Sequence, residues 1–173
     1  MGQESFYTVF KTSSGWVGIF GSSAGLQRTT LPQPSEKAAI KSLLVNISGA
    51  TLSAHRFEDL TKRFQAYFSG RRADFPDALD YSGATPFQRG IWEAARQIPY
   101  GQTRSYGWVA RQAGKPGAAR AAGQALGRNP LPVIVPCHRV LAGDGGPGGF
   151  SGGLEMKKLL LKLEKATSSG SQM

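Results

Sequence analysis

The sequence predicts an α+β protein in two parts: a small three-stranded antiparallel sheet with helices, then a mostly helical region that contains a helix-turn-helix. Two observations lead to this prediction. Short apolar and aromatic runs separated by turn residues occupy residues 6–31, as in antiparallel strands. From residue 85 onward, apolar side chains recur at helical spacing. The 173 residues suffice for two small domains, and we place the boundary between them near residue 84.

The N-terminal domain, residues 1–84, begins with a predicted β-hairpin. The runs FYTVF (6–10) and WVGIF (16–20) are joined by KTSSG, and LQRTTL (26–31) predicts a third strand. Apolar residues at helical spacing predict one helix over 35–47 and a second that stops before Gly70. Residues 71–84 have no clear period, and we expect a linker there.

Three helices are predicted at the start of the C-terminal domain, residues 85–166, and the second and third form a helix-turn-helix pattern. TPFQ (85–88) is a capping box with proline at the first helical position, and Ser105 is the predicted N-cap of a second helix. A tight turn over 114–117 leads into an alanine-rich helix over 118–128. Small side chains would let that helix lie deep in a DNA groove, but they equally suit close packing inside a core.

Residues 129–173 predict a buried strand, a loop and a last helix. The apolar run 131–135 predicts the strand, which ends at Pro136-Cys137-His138-Arg139, and residues 143–153 form a glycine-rich loop. Residues 154–166 predict an amphipathic helix, and residues 167–173 a disordered tail. The side chains predicted to face inward from the helix are Leu154 or Met156, Leu159, Leu160 and Leu163.

The positive charge is concentrated in the second half of the chain. Residues 1–85 carry 9 Lys and Arg against 7 Asp and Glu, whereas residues 86–173 carry 12 against 4, a balance of +8. A basic half beside a nearly neutral one indicates a polyanionic partner, and nucleic acid is the first candidate.

The sequence excludes several classes of protein. A single cysteine rules out an internal disulfide, and one Cys with two His is poor material for a structural zinc site. No apolar run approaches the roughly 20 residues of a membrane span, and the first ten residues lack the features of a signal peptide. We therefore expect a soluble, intracellular protein that needs no metal or cofactor and does not associate with membranes.

Cys137 is the candidate nucleophile. It follows an apolar run and has His138 and Arg139 beside it, and basic neighbours favour the thiolate. A base next to a nucleophile needs a third group to orient it. The acidic residues of this half that could do so are Glu93, Asp144, Glu155 and Glu164, and spacing does not choose among them.

Taken together, these segments resemble the O6-alkylguanine-DNA alkyltransferases. The likeness covers about residues 85–164: TPFQRGIWEAARQIPYGQTRSYGWVA, then GKPGAARAAGQALGRNPLPVIVPCHRV, then GGFSGGLEMKKLLLKLE, in the family's order and spacing. The N-terminal half matches only in general plan, for which the resemblance implies a ribonuclease H-like fold. The implied activity is DNA repair by irreversible, single-turnover transfer of an alkyl group from O6-alkylguanine in double-stranded DNA to Cys137.

The resemblance implies a role for each residue of the site. His138 would be the base acting through water, oriented by Glu164, and Tyr106 would give a proton to the departing guanine, while Asn129 would brace the turn. Arg120 would be the finger that fills the gap left by base flipping. Further implied DNA contacts are Thr103, Ser105, Ala119, Ala121, Gly123 and Arg128, and the implied substrate contacts are Pro132, Val135, Phe150, Ser151 and Gly152.

Some features depart from the family pattern or are left open by it. Phe150 stands where many members have tyrosine, and the zinc ligands of some members have no counterpart, since His55 stands alone in the N-terminal half. Pro132 and Gly152 match benzyl-tolerant members. The resemblance implies a monomer located in the cytoplasm with the nucleoid, or in the nucleus of a eukaryote. It leaves open O4-alkylthymine as a substrate and cooperative binding along DNA.

Two other classes of protein would fit part of the pattern. A DNA-binding module without chemistry, such as an alkyl-base sensor or a regulator, would explain the helix-turn-helix, but sensors replace the acceptor cysteine and regulators are expected to carry further cysteines. A thiol hydrolase with a Cys-His pair would explain residues 137 and 138 but not the basic half.

Overall fold

A computed structural model describes residues 3–47, 49–146, 148–150 and 152–169. The chain divides into two compact units, residues 1–82 and 83–173. The first contains a sheet with two helices, and the second is mainly helical, so the predicted α+β class is confirmed. No helix among the described residues is long and apolar enough to cross a membrane.

The first unit is built on an antiparallel meander of three strands, as predicted. These are β1 (Ser5–Thr12), β2 (Gly15–Ser22) and β3 (Gly25–Thr29). A fourth strand, β4 (Thr51–Leu52), pairs with β1 in parallel, so the order is β3-β2-β1-β4. The expectation of a purely antiparallel, three-stranded sheet was therefore incomplete, because two residues are too few to show a strand period. The ribonuclease H-like assignment stays a prediction.

Two helices cover this sheet. Helix α1 (Glu36–Ile47) begins at Ser35, whose hydroxyl accepts from the Ala38 amide at 3.0 Å. Helix α2 (Glu58–Phe68) is amphipathic and ends before Gly70, which has a φ of +92°. A left-handed backbone of this kind suits glycine because it has no Cβ. The fully buried side chains here include Val17, Ile19, Leu43, Phe64 and Tyr67.

The second unit contains the predicted capping box and helix-turn-helix. Thr85 Oγ1 accepts from the Gln88 amide at 3.1 Å, and the Gln88 side chain accepts from the Thr85 amide at 3.0 Å. These two hydrogen bonds cap the N-terminus of helix α3 (Pro86–Arg96). Helices α4 (Tyr106–Gln112) and α5 (Ala119–Gly127) follow, separated by a turn with glycines at positive φ.

A pair of very short strands positions the start of α4. Strand β5 (Arg104–Ser105) pairs in parallel with β6 (Val140–Leu141), which directly follows the 137–139 segment. Ser105 ends β5 and caps α4 by accepting from the Trp108 amide at 3.0 Å. The first residue of α4, Tyr106, is thereby held close to Cys137, although the two are 31 positions apart in sequence.

Two predictions for the last part of the chain were wrong, and an alternative left open there is decided. Residues 131–135 form a buried turn and not a strand, because only an isolated bridge joins Pro132 to Val135 and two prolines limit regular pairing. Of the two alternatives at the start of the last helix, Leu154 is 45% exposed and Met156 is half-buried, so Met156 is the one that faces inward. Helix α6 (Leu154–Ser169) includes residues 167–169 of the predicted disordered tail, and residues 170–173 lie outside the described residues.

Candidate active site

Cys137 begins a 3₁₀ turn over Cys137–Arg139 and is 7% exposed. Asn129 holds the preceding turn together: its Nδ2 donates to the Val135 carbonyl at 2.9 Å and to the Cys137 Sγ at 3.3 Å. Its Oδ1 accepts from the Leu131 amide at 2.8 Å. Val133 lies in this turn at a φ of +75°, a conformation that a β-branched residue adopts only where its surroundings impose it. The thiol therefore has a fixed position.

A cavity of about 420 Å³ opens above the thiol. One wall is the side of α5 that carries mostly alanine and glycine, and another is the glycine-rich loop. The lining residues are Tyr106, Ala119, Arg120, Gly123, Gln124, Leu126, Gly127, Cys137, Gly149 and Phe150. This volume lies within the range of small-ligand sites, so one planar base with a substituent fits it.

Three ionisable side chains form a buried network behind the cysteine. His138 Nε2 lies 2.5 Å from Glu164 Oε2, and Arg139 Nε donates to Glu164 Oε1 at 2.7 Å. The Gly101 amide also donates to that oxygen, at 3.1 Å. Both His138 and Glu164 are almost fully buried. Of the four candidate acids, Glu164 is thus the one in contact with His138.

The network sets the protonation state of the base. Burial is the largest influence on Glu164 and opposes its charge, but the hydrogen bonds from His138 and Arg139 prevail and lower the Glu164 pKa to about 2. Burial also lowers the His138 pKa below its ordinary value. A neutral imidazole that donates its Nε2–H to Glu164 keeps the Nδ1 lone pair for a proton. The pair can therefore work as an oriented general base.

The expectation that basic neighbours make the Cys137 thiol acidic was wrong in its net direction. Burial raises the pKa of Cys137 above its ordinary value, and this effect exceeds the opposing hydrogen bond from Asn129 and the charge of Lys157. A thiol that stays protonated is a weak nucleophile. Deprotonation must therefore be coupled to a base.

Lys157 is a site residue that the sequence analysis missed. Its side chain is fully buried, and Nζ donates to the Val140 carbonyl at 2.7 Å and to the Gly149 carbonyl at 3.3 Å. Nζ also lies 5.9 Å from the Tyr106 ring centroid and 6.0 Å from that of Phe150. A cation is thus placed where it favours the thiolate and fixes the loop wall. The sequence signal for its burial is helical spacing, because Lys157 lies three residues before Leu160 and seven before Glu164 and so shares a helix face with them.

Tyr106 fits into a slot between two glycines. A Cβ added at Gly148 would lie 2.6 Å from the Tyr106 hydroxyl oxygen, and one added at Gly123 would lie 3.6 Å from the ring. The Tyr106 hydroxyl donates to the Gly149 carbonyl at 3.3 Å. Burial raises the pKa of Tyr106 above its ordinary value, so this phenol keeps its proton at neutral pH.

The predicted site residues that the structure describes divide into three groups. Cys137, Asn129, His138 and Glu164 are joined by direct contacts, whereas the cavity lining contains Tyr106, Ala119, Arg120, Gly123 and Phe150. Thr103, Ser105, Ala121, Arg128, Pro132, Val135 and Gly152 are outside that lining. The Val135 carbonyl already accepts from Asn129 Nδ2 and from the Cys137 amide. Ser151 lies outside the described residues.

Metal ligands do not cluster in the part of the chain that the structure describes. No group of three or more His, Cys, Asp or Glu side chains there could hold a metal ion. The site consists instead of a thiol, an imidazole, a carboxylate, a phenol and two kinds of cation, which are the groups needed for nucleophilic attack and proton transfer.

Comparison with known sequences gives a family. Residues 86–166 match the family model described as 6-O-methylguanine DNA methyltransferase, DNA binding domain. A methylated-DNA–protein-cysteine methyltransferase of Methanosarcina acetivorans is 36% identical over 159 residues, covering 92% of this chain and 97% of the relative. One of Mycolicibacterium paratuberculosis is 46% identical over 124 residues, covering 72% and 74%.

Solved structures agree with the sequence comparison. The Mycobacterium tuberculosis protein OGT, crystallised in complex with DNA, is 38% identical with a TM-score of 0.78, and the match covers 94% of each chain. The O6-methylguanine-DNA methyltransferase of Pyrococcus kodakaraensis is 27% identical with a TM-score of 0.67, covering 91% of this chain and 98% of that one. The family suggested by the PCHRV segment and its neighbours is confirmed: this chain belongs to the methylated-DNA–protein-cysteine methyltransferases.

Proposed function

We propose that this protein repairs DNA by moving an alkyl group from O6 of guanine onto Cys137, once per molecule. One observation supports this above the others: the lone thiol lies in a cavity, and one wall of that cavity is the second helix of a helix-turn-helix. A base must leave the duplex to reach such a thiol. Arg120, which makes no hydrogen bond or ion pair with another described residue, is available to fill the gap in the stack.

In the proposed reaction, Cys137 Sγ attacks the alkyl carbon and the bond between that carbon and O6 breaks. The electron pair of that bond goes to the guanine. His138 Nδ1, acting through water, takes the thiol proton, and Glu164 stabilises the imidazolium that forms. Tyr106 donates a proton to the guanine ring and regains one that leaves the His138 imidazolium through water. The proton lost by the thiol thus balances the proton gained by the guanine.

Residues 85–166 would hold both the DNA contacts and the acceptor thiol. The +8 balance of residues 86–173 favours phosphate contacts by Thr103, Ser105 and Arg128, with affinity that falls as salt rises. The small residues Ala119, Ala121 and Gly123 would let the helix backbone approach the DNA. A DNA substrate implies the cytoplasm with the nucleoid, or the nucleus in a eukaryote.

Mass spectrometry with peptide mapping tests the proposal. After incubation with an excess of duplex containing O6-methylguanine, the protein should gain one methyl group on Cys137, with no turnover. Cys137→Ala should gain none but should still bind the duplex, because the phosphate contacts are elsewhere. Methylation of the Cys137→Ala variant would overturn the assignment of the acceptor.

The same assay separates the two alternatives. A sensor of alkylated bases would bind the duplex and keep its original mass, and a thiol hydrolase would release product repeatedly. Duplex containing O4-methylthymine, supplied as a second substrate, determines whether that lesion is also accepted.

A further inference from the structure

Helix α5 presents two long polar side chains on a face that is otherwise almost without side chains. Its cavity-lining residues are Ala119, Arg120, Gly123, Gln124, Leu126 and Gly127, and Leu126 is buried. Arg120 and Gln124 are exposed and four residues apart, which makes them neighbours on one side of the helix. The family resemblance implies a role for Arg120 and none for Gln124.

Gln124 has no structural task among the described residues. Its side-chain amide makes no hydrogen bond with any of them, whereas the Asn129 amide uses both its nitrogen and its oxygen within the turn before Cys137. The amide of glutamine carries two donors and one acceptor. It is therefore free to bind a group that enters from outside.

The neighbours of Gln124 determine what it can reach. Gly123 and Gly127 lie on either side of it in the cavity lining and have no side chain to hold a duplex away. A backbone that approaches DNA this closely brings a side chain of glutamine's length to the base edges. Base edges differ in their donors and acceptors, and an amide discriminates among them by hydrogen bonding.

We propose that Gln124 is a specificity-determining residue whose amide hydrogen-bonds the edge of the base pair next to the extruded alkylguanine. The rate of repair then depends on which base pair stands there. This inference rests on the proposed function, since it requires that a guanine leaves the duplex at Arg120. Gln124 has no part in bond breaking and acts only on the duplex.

Single-turnover rates on a set of duplexes test this. O6-methylguanine is placed with each of the four base pairs on its 5′ side and then on its 3′ side, and free O6-benzylguanine serves as a substrate without neighbours. The native protein should show a spread of about fivefold or more between its fastest and slowest neighbours, the size that one base-edge contact can supply. Gln124→Ala should reduce that spread to less than twofold and should slow the favoured duplexes more than the free base.

Two further variants make the result specific. Gln124→Met keeps the length and helix preference of the side chain but removes its hydrogen bonds, so it should lose the spread as Gln124→Ala does. Gln97→Ala removes an exposed glutamine at the end of α3, and this variant should keep the spread in rates of the native protein.

Several outcomes would overturn the inference. One is a native protein without a spread, and another is a spread that survives in both Gln124 variants. Equal slowing on every duplex would indicate a phosphate contact instead. Slowing of the free base to the same extent as the duplexes would indicate a change in the cavity. Failure of the proposed function would look different, because no duplex would transfer a methyl group at all.

Discussion

The imidazole of His138 lies 2.5 Å from the carboxylate of Glu164, and neither side chain has appreciable contact with solvent. The same carboxylate also accepts from Arg139 at 2.7 Å. Removing one member of a buried, hydrogen-bonded charge pair leaves the other without compensation, which typically costs about 3–5 kcal/mol.

We therefore expect Glu164→Gln to lower the free energy of unfolding by about 3–5 kcal/mol and to slow methyl transfer strongly, because the imidazolium loses its counter-charge. Chemical denaturation and single-turnover kinetics measure the two effects. Glu155→Gln is the matched control, since Glu155 lies on the same helix with its side chain 92% exposed, and it should change neither. Equal effects of both substitutions would contradict the role of the buried pair.

Stability should fall with acid in two stages. The lowered pKa of His138 means that, below its ordinary value of 6.5, the unfolded chain takes up a proton that the buried imidazole does not. The Glu164 pKa of about 2 adds stability that is present above 4.5 and is lost as the pH falls from there. Melting temperatures between pH 8 and pH 3 measure both.

His138→Gln is the control for the first stage. This variant should lose the decline between pH 6.5 and pH 5 while keeping the decline below 4.5. A decline that begins at pH 6.5 in both proteins would mean that His138 is not its source.

Replacing Lys157 with methionine should raise the pKa of the Cys137 thiol further, because the charge that lowers it is removed. Each unit of increase reduces the thiolate fraction about tenfold. The pH dependence of iodoacetamide labelling at Cys137 gives the pKa directly. Lys158→Met removes the exposed lysine next along the helix and should leave the pH profile of labelling unchanged. Identical profiles for the native protein and both variants would exclude electrostatic coupling between Lys157 and Cys137.

Gly148→Ala should displace Tyr106, since the new methyl group would lie 2.6 Å from the phenolic oxygen. We expect slower transfer and a loss of at least about 1 kcal/mol in stability, because the residue also has a φ of +66°. Gly145→Ala shares the positive φ but meets nothing within 4 Å, so it isolates the backbone cost. Slowing of transfer by Gly145→Ala to the same extent would argue against the contact with Tyr106.

Arg120→Ala should slow repair of duplex DNA much more than reaction with free O6-benzylguanine, because only the duplex has a gap to fill. Arg71→Ala removes an exposed arginine of the first unit and controls for the loss of one positive charge. Parallel losses on the duplex and the free base would remove the finger role.

Local patterns in the sequence were sufficient for most elements of the fold. The capping box at Thr85 and the glycine that ends α2 are rules of a few neighbouring residues, and both appear where expected. Pairings between distant segments were not predictable in this way. Strands β4, β5 and β6 have two residues each, which is too few for a pattern. Their pairings join residues 36 or 45 positions apart in sequence.

The candidate site was predictable where its chemistry is concentrated in one motif. Cys137 and His138 stand out in the sequence, but the role of Glu164 depended on the family resemblance. Lys157 was missed because charge in a sequence normally indicates a solvated surface, and only the folded chain brings two carbonyls to its ammonium group. The same tertiary burial reverses the expected direction of the Cys137 pKa.

The depth of Cys137 also affects the lifetime of the unreacted protein. A thiol that reacts only once can no longer accept an alkyl group if an oxidant reacts with it first. The susceptibility of a thiol to oxidation increases with its exposure and its thiolate character. Cys137 is 7% exposed and its pKa is raised by burial. Oxidation by peroxide and formation of mixed disulfides should therefore be slow, because the sulfur is shielded from solvent and protonated. Burial thus makes attack by Cys137 depend on a base, and it also protects protein molecules that have not yet reacted from losing their acceptor thiol to oxidation.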